Sequence, residues 1–199
     1  AISSKILQQN TKVWIGPKKH FVQYLVKGGN FLNCVCLVEQ NDWTNEDWSE
    51  KGDISELKHI FSDWHPEIQE ILESTKPGSL YKWGLHDRAP MNKWSKGRFS
   101  LLGDAAHPML PFVAQGAAMA IEDGIVLASS LSSFDSVALG FNDYENKRKY
   151  RTAKAQRTAT RNATIFHLSD FFAIFRNLVM KFFIKKIMDS FYKYDAISK

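Results

Sequence analysis

The chain has 199 residues, enough for one large domain or parts of two. Hydrophobic residues make up 44% and charged residues 24%, a globular balance that excludes an intrinsically disordered chain. The net charge of +5 mildly favours anionic partners such as phosphorylated cofactors, carboxylate substrates, nucleic acid or an acidic membrane surface, without choosing among them.

Residues 5–39 are rich in Val, Ile, Leu, Phe and Tyr, broken by Gly16-Pro17 and Gly28-Gly29-Asn30, which predicts three strands with a hairpin turn at the second break. His20 and Tyr24 are four residues apart, so on a strand they face the same side at about 13 Å. They cannot touch as a dyad, yet they can bracket a bound aromatic ring. Cys34 and Cys36, the only cysteines, would lie roughly 6–7 Å apart on one strand face. That is poor disulfide geometry, and a reducing, cytoplasmic setting is expected. No basic region leads into an apolar stretch and cleavage site at the start, so no signal peptide is expected, and no apolar run reaches the ~18 residues of a membrane span.

A polar connection at 41–53 leads to apolar residues at helical spacing over 54–73, where Trp64-His65-Pro66 separates two helices. Residues 79–90, "SLYKWGLHDRAP", alternate in character and predict a further strand; Arg88 within them suits an anion or, more simply, structural pairing. Residues 99–102 predict a short buried strand, 113–131 an Ala-rich helix and 141–161 a second, strongly basic helix. The seven Lys or Arg of 147–161 are spaced all around that helix, the pattern of a solvated surface rather than of a nucleic-acid module. From 165 to 194 apolar clusters alternate with Arg176, Lys181, Lys185 and Lys186, and such a basic, aromatic tail can lie on a membrane surface. No His/Cys/Asp cluster has metal-ligand spacing, so no metal is expected. Strands come first and helices last around one intervening strand, which predicts an α+β arrangement or a piece of a larger α/β protein. Three parts are expected: a β-sheet with two helices at 1–90, a strand-loop-helix unit at 91–135, and C-terminal helices at 136–199.

The most informative stretch is "GRFSLLGDAAHPMLPFVAQGAAMAIED", residues 97–123. It places an acid, Asp104, after an apolar run ending at Gly103, and then starts a helix with Gln115-Gly116-Ala117. Small residues there leave the unpaired amides of a helix N-terminus open to an anion or a delocalised negative charge. A carboxylate, by contrast, offers acceptor oxygens to hydroxyl groups. A ligand with sugar-like hydroxyls at one end and an electron-accepting ring at the other satisfies both, as FAD does with its ribitol chain and isoalloxazine.

The run "LLGDAAHPMLPFVAQGAAMAIEDG" resembles the second flavin fingerprint of the single-component flavin-dependent aromatic hydroxylases, the group of salicylate hydroxylase and 3-hydroxybenzoate 6-hydroxylase. "WGLHDRAPMNKWSKGR", "ENKRKYRTAKAQRTATRNATIFHLSD", "FYKYD" and "IGPKKHFVQYLVKGGNFLNCV" extend the resemblance over nearly the whole chain. The resemblance implies FAD contacts from Gly103, Asp104, Pro111, Gln115, Gly116 and Ala117, with Pro111 near the flavin ring. It implies a substrate pocket holding His20 and Tyr24, in which His20 helps to deprotonate a phenol. His107, inside the GDAAHP run, reads as a hydrogen-bonded structural histidine rather than the base. The activity implied is NADH- or NADPH-dependent hydroxylation of a small phenol or benzoate through a flavin hydroperoxide, and the tail helices are expected to pack on the enzyme's own body.

One departure is large: no GxGxxG turn and no middle Asp-Gly motif is present, since Asp123-Gly124 lies inside the fingerprint's own helix. The chain therefore looks like the C-terminal half of such an enzyme, a second chain is a candidate source of the other half, and the isolated chain is expected to be inactive. The alternatives are a non-catalytic remnant that folds or binds a partner chain without turnover, and a basic membrane- or nucleic-acid-binding module.

Overall fold

The computed structural model describes residues 6–7, 10–40, 47 and 49–197, with the backbone alone described at 183–188. It forms two units, Ala1–Leu85 and His86–Lys199.

In the first unit, β1 (Lys12–Gly16), β2 (Lys19–Val26) and β3 (Phe31–Val38) form an antiparallel sheet in the order β1-β2-β3. The three expected strands and the hairpin are present. Period-two alternation puts Phe21 on one face of β2, beside its cross-strand partners Trp14 and Cys36. This face is covered by α1 (Ile54–Ile60) and α2 (Pro66–Glu73), so Phe21, Phe61, Ile68, Ile71 and Leu72 close one apolar core. Phe21 meets Phe61 edge-on, with ring centroids 5.8 Å apart, a favoured aromatic geometry. The two helices are separate because each has its own start. Asp53 caps α1 by accepting the Ser55 N–H at 2.7 Å, and Pro66 opens α2, where its missing N–H costs nothing. Burial pushes the Cys34 thiol up to about 11, and it raises that of Cys36 as well, which disfavours the thiolate form of both.

The strand expected at 79–90 is absent. Only an isolated bridge between Lys51 and Tyr81 forms there. Alternating polarity reports a chain with two different sides; it does not supply a neighbouring strand, and among the described residues none lies beside 82–90.

The second unit begins with a two-residue hairpin, β4 (Ser95–Lys96) and β5 (Phe99–Ser100). The buried strand expected at 99–102 is thus shorter and open to solvent: Phe99 is 82% exposed, the Leu101 N–H adds one further bond to the Trp94 carbonyl at 3.1 Å, and Leu102 is extended but outside the ladder. Two 3-10 turns follow, Gly103–Ala105 and Pro111–Val113. The helix expected from 113 begins three residues later, as α3 (Gly116–Ser133), because Ala114 adopts the left-handed conformation (φ 50°) and breaks helical continuity after the proline-initiated turn. Helix α4 (Val137–Phe166) is longer than expected at both ends, and α5 (Asp170–Tyr192) completes the chain. Helices α3 and α4 approach closely at Gly140, where an added Cβ would meet the Leu131 Cα at 3.2 Å. Trp94, Ala106, Val126 and Tyr144 form one core of this unit, and Met119, Ala155 and Phe191 form a second.

The basic helix is not a uniformly solvated surface. Lys154, Arg157 and Arg161 are exposed, but Arg148 and Arg151 are buried and paired with acids of α3. Spacing all around a helix cannot distinguish these cases, because the partner acids are more than twenty residues away in sequence. Helix α5 leaves Phe171, Phe172, Ile174, Phe175, Leu178 and Phe182 exposed, and among the described residues no helix is long and apolar enough to cross a membrane.

Candidate functional site

Asp104 sits in the first 3-10 turn of the second unit, not at the end of a paired strand. Its carboxylate is exposed and has no hydrogen-bond or ion-pair partner among the described residues. A Cβ added to Gly116 would stand 3.8 Å from Asp104 Oδ1, so the turn and the start of α3 are immediate neighbours. The first α3 amide to bond backwards is that of Met119, to the Gln115 carbonyl at 2.8 Å, and the Gln115 side chain does not cap the helix. Among the described residues the N–H groups of Gly116, Ala117 and Ala118 are therefore left open, flanked by hydrogen or methyl side groups. Two acceptor oxygens and a set of donors at the positive end of an 18-residue helix thus lie side by side. The carboxylate matches hydroxyl groups and the amides match a negatively charged edge, so this pair fits the ribitol chain and ring edge of FAD.

The turn is held from behind. Gly103 has φ 59°, and a Cβ there would stand 3.1 Å from Ala120 Cβ, so this position admits glycine for two separate reasons. Its N–H donates to Asp123 Oδ2 at 3.0 Å. Asp123 is fully buried on α3, where His107 donates its Nε2–H to Oδ2 at 2.5 Å and Arg148 Nε donates to Oδ1 at 2.6 Å. Burial by itself would raise the Asp123 carboxyl, but the donors from His107, Arg148 and the Gly103 amide outweigh it and hold the group below the usual carboxylate range. Arg148 also donates to Glu122 at 2.7 Å and to the Met119 carbonyl at 3.2 Å, and Arg151 reaches both Glu122 oxygens at 2.6 Å. Two arginines and two acids so lock α4 to α3 directly beneath the Gly103–Asp104 turn.

Further side chains fix the loop that follows. The Arg88 guanidinium donates to the Ala105 carbonyl at 2.7 Å, so its partner is backbone rather than an acid. Gln156 Nε2 donates to the Pro108 carbonyl at 2.9 Å, and Asn162 Nδ2 donates to that of Phe112 at 3.1 Å. Pro111 is exposed at the start of the second turn, and Gln115 is a buried N-cap. His107 is hydrogen-bonded inside the network, a structural position.

His20 and Tyr24 belong to the first unit. They share the β2 face opposite Phe21 and the two helices, with His20 2% exposed and Tyr24 half-buried. Val22 lies between them, opposite Val13 and Val35, giving that face an apolar floor.

Glu122 and Asp123 enter the sequence reading only as the end of the fingerprint run, and Arg148 and Arg151 only as part of the basic helix, none with a role of its own. The signal that could have found them is an adjacent acidic pair on an Ala-rich helix, matched by two arginines three apart on one side of the next helix.

Residues 9–159 match the FAD binding domain family. The chain is 40% identical over 153 residues to a 6-hydroxynicotinate 3-monooxygenase of Pseudomonas fluorescens, covering 75% of this chain and 39% of that protein. It is 35% identical over 185 residues to a 3-hydroxybenzoate 6-hydroxylase of Klebsiella oxytoca, covering 91% of this chain and 44% of that one. Its fold matches a salicylate hydroxylase solved as a substrate complex with a TM-score of 0.76, at 23% identity, over 94% of this chain and 47% of the other. The chain spans less than half the length of each of these proteins.

Proposed function

The chain belongs to the FAD-binding domain family that includes flavin-dependent aromatic hydroxylases, and from that premise we propose that it forms the ribitol, ring and substrate side of such an enzyme. The observation that carries this reading is the Asp104 carboxylate, without a partner among the described residues, set beside the similarly open amides of Gly116, Ala117 and Ala118. The overall reaction is insertion of one oxygen atom of O2 into a phenol or benzoate ring, with NADH or NADPH as reductant and the second oxygen leaving as water. FAD, when bound, supplies the redox and oxygen chemistry that side chains lack.

The chain's own residues position the reactants and manage charge. Asp104 would accept hydrogen bonds from ribitol hydroxyls, and Pro111 would pack beside the ring. The Gly116–Ala118 amides would serve as preorganised donors to the electron-rich N1–C2=O edge. On the β2 face, His20 takes the phenol proton, since a phenolate is the more reactive ring, and Tyr24 bounds the far end of the substrate. The ADP half of the cofactor is bound by an N-terminal GxGxxG unit, in the same polypeptide or in a second chain, and the protein works in the cytoplasm.

The test is FAD affinity. In the complete flavoprotein, Asp104→Ala is expected to weaken FAD binding by about 1.5–3 kcal/mol, the range for a hydrogen bond to a charged group. Titration followed by flavin fluorescence reads the change directly. Unaltered affinity in a folded variant would remove Asp104 from the site.

A further inference from the structure

The buried Asp123 is more than a link between two helices. One of its oxygens accepts the Gly103 N–H at 3.0 Å, and Gly103 immediately precedes the only acid in the turn that faces the α3 N-terminus. The other oxygen is held by Arg148 at 2.6 Å, and Arg148 in turn is held by Glu122. Every group in this chain is buried or half-buried, and each has its partner at 3.0 Å or less. A carboxylate with this many charge-assisted bonds has one orientation, and the turn bonded to it inherits that orientation. Among the described residues, by contrast, nothing holds the Asp104 carboxylate except its own backbone.

We propose that Asp123, oriented by Arg148, is a positioning residue for flavin binding: it sets the Gly103–Asp104 turn so that the Asp104 carboxylate is presented beside the α3 amides. This rests on the reading that Asp104 contacts FAD. The affinity of the site thus depends on a residue that never touches the ligand, and the backbone amide of Gly103 carries the connection. Preorganisation of this kind is read in ligand affinity, because a loosened turn must be ordered again each time the ligand binds.

The experiment is a double-mutant cycle between Asp104→Ala and Asp123→Asn in the complete flavoprotein, with FAD dissociation constants measured by fluorescence titration. Asp123→Asn is expected to weaken FAD binding by about tenfold or more, a change of about 1.4 kcal/mol. In the Asp104→Ala background the same substitution is expected to have almost no further effect, because the group it positions is gone. A purely structural role would instead lower melting temperature alike in both backgrounds and leave affinity unchanged, or lower affinity additively; either result overturns the proposal. If Asp123→Asn does not fold, Asp123→Glu is used in the same cycle. It keeps the charge opposite Arg148 but displaces the oxygens by one methylene, and the same non-additivity is expected. If Asp104→Ala alone leaves FAD affinity intact, the Asp104 reading falls and takes this inference with it. If Asp104→Ala weakens binding but the cycle is additive, only the positioning role falls.

Discussion

Replacing Arg148 by methionine is expected to cost about 3–5 kcal/mol of stability, the range for removing one partner from a buried ion pair. Arg148 is fully buried, and its guanidinium satisfies Asp123, Glu122 and the Met119 carbonyl at once. Methionine fills much of the volume, so cavity formation contributes little, and the loss measures chiefly Asp123 left without its cation, since Glu122 keeps Arg151. Asp123 suffers most, because nothing at that depth replaces the lost donor by solvent. Denaturant unfolding of the variant beside Lys154→Met, an exposed cation on the same helix, checks the expectation. The surface control should fall within about 0.5 kcal/mol of the parent. A loss below 1 kcal/mol for Arg148→Met, on the order of an exposed pair, would show that the network is not what holds α3 to α4.

The second large effect is expected at His20. A general base contributes typically 10²–10⁴-fold, so His20→Ala should slow ring hydroxylation by a factor in that range. Flavin reduction by the nicotinamide nucleotide should be slowed much less, because no phenol proton moves in that half-reaction. The signature is uncoupling, with reductant and oxygen consumed while hydrogen peroxide, not hydroxylated product, accumulates. Rapid mixing separates the two half-reactions. His20 is almost fully buried, so its removal also leaves a hole in the β2 face. Equal loss in both half-reactions would assign the whole effect to that hole, and no loss in either would make His20 a strand residue without a part in the chemistry.

The elements with strong local signals were legible from sequence. The three strands, the Gly28-Gly29 hairpin and the break at Trp64-His65-Pro66 follow from period, turn chemistry and a proline, all of which act over a few residues. Features that depend on distant partners were not. Residues 79–90 alternate like a strand but among the described residues form a single β-bridge, at Tyr81, and residues 99–102 read as buried although Phe99 is open to solvent. Asp104 and Gly116 could be matched because both lie in one contiguous run and their chemistries are complementary. Arg148 could not, since on a helix with cations on every side only the fold tells which one points inward. The start of α3 was misplaced for a different reason: Ala114 takes a left-handed conformation that its side chain disfavours, and composition carries no trace of it.

The central claim is that the Gly103–Asp104 turn and the start of α3 together hold the ribitol and ring edge of FAD. The most direct measurement is a structure of the complete protein crystallised with FAD. The expected result places an Asp104 oxygen within hydrogen-bonding distance of a ribitol hydroxyl, with the N1–C2=O edge against the Gly116–Ala118 amides and the Gly103–Asp123 bond intact. A flavin bound with Asp104 facing solvent and those amides bonded only to water would contradict it.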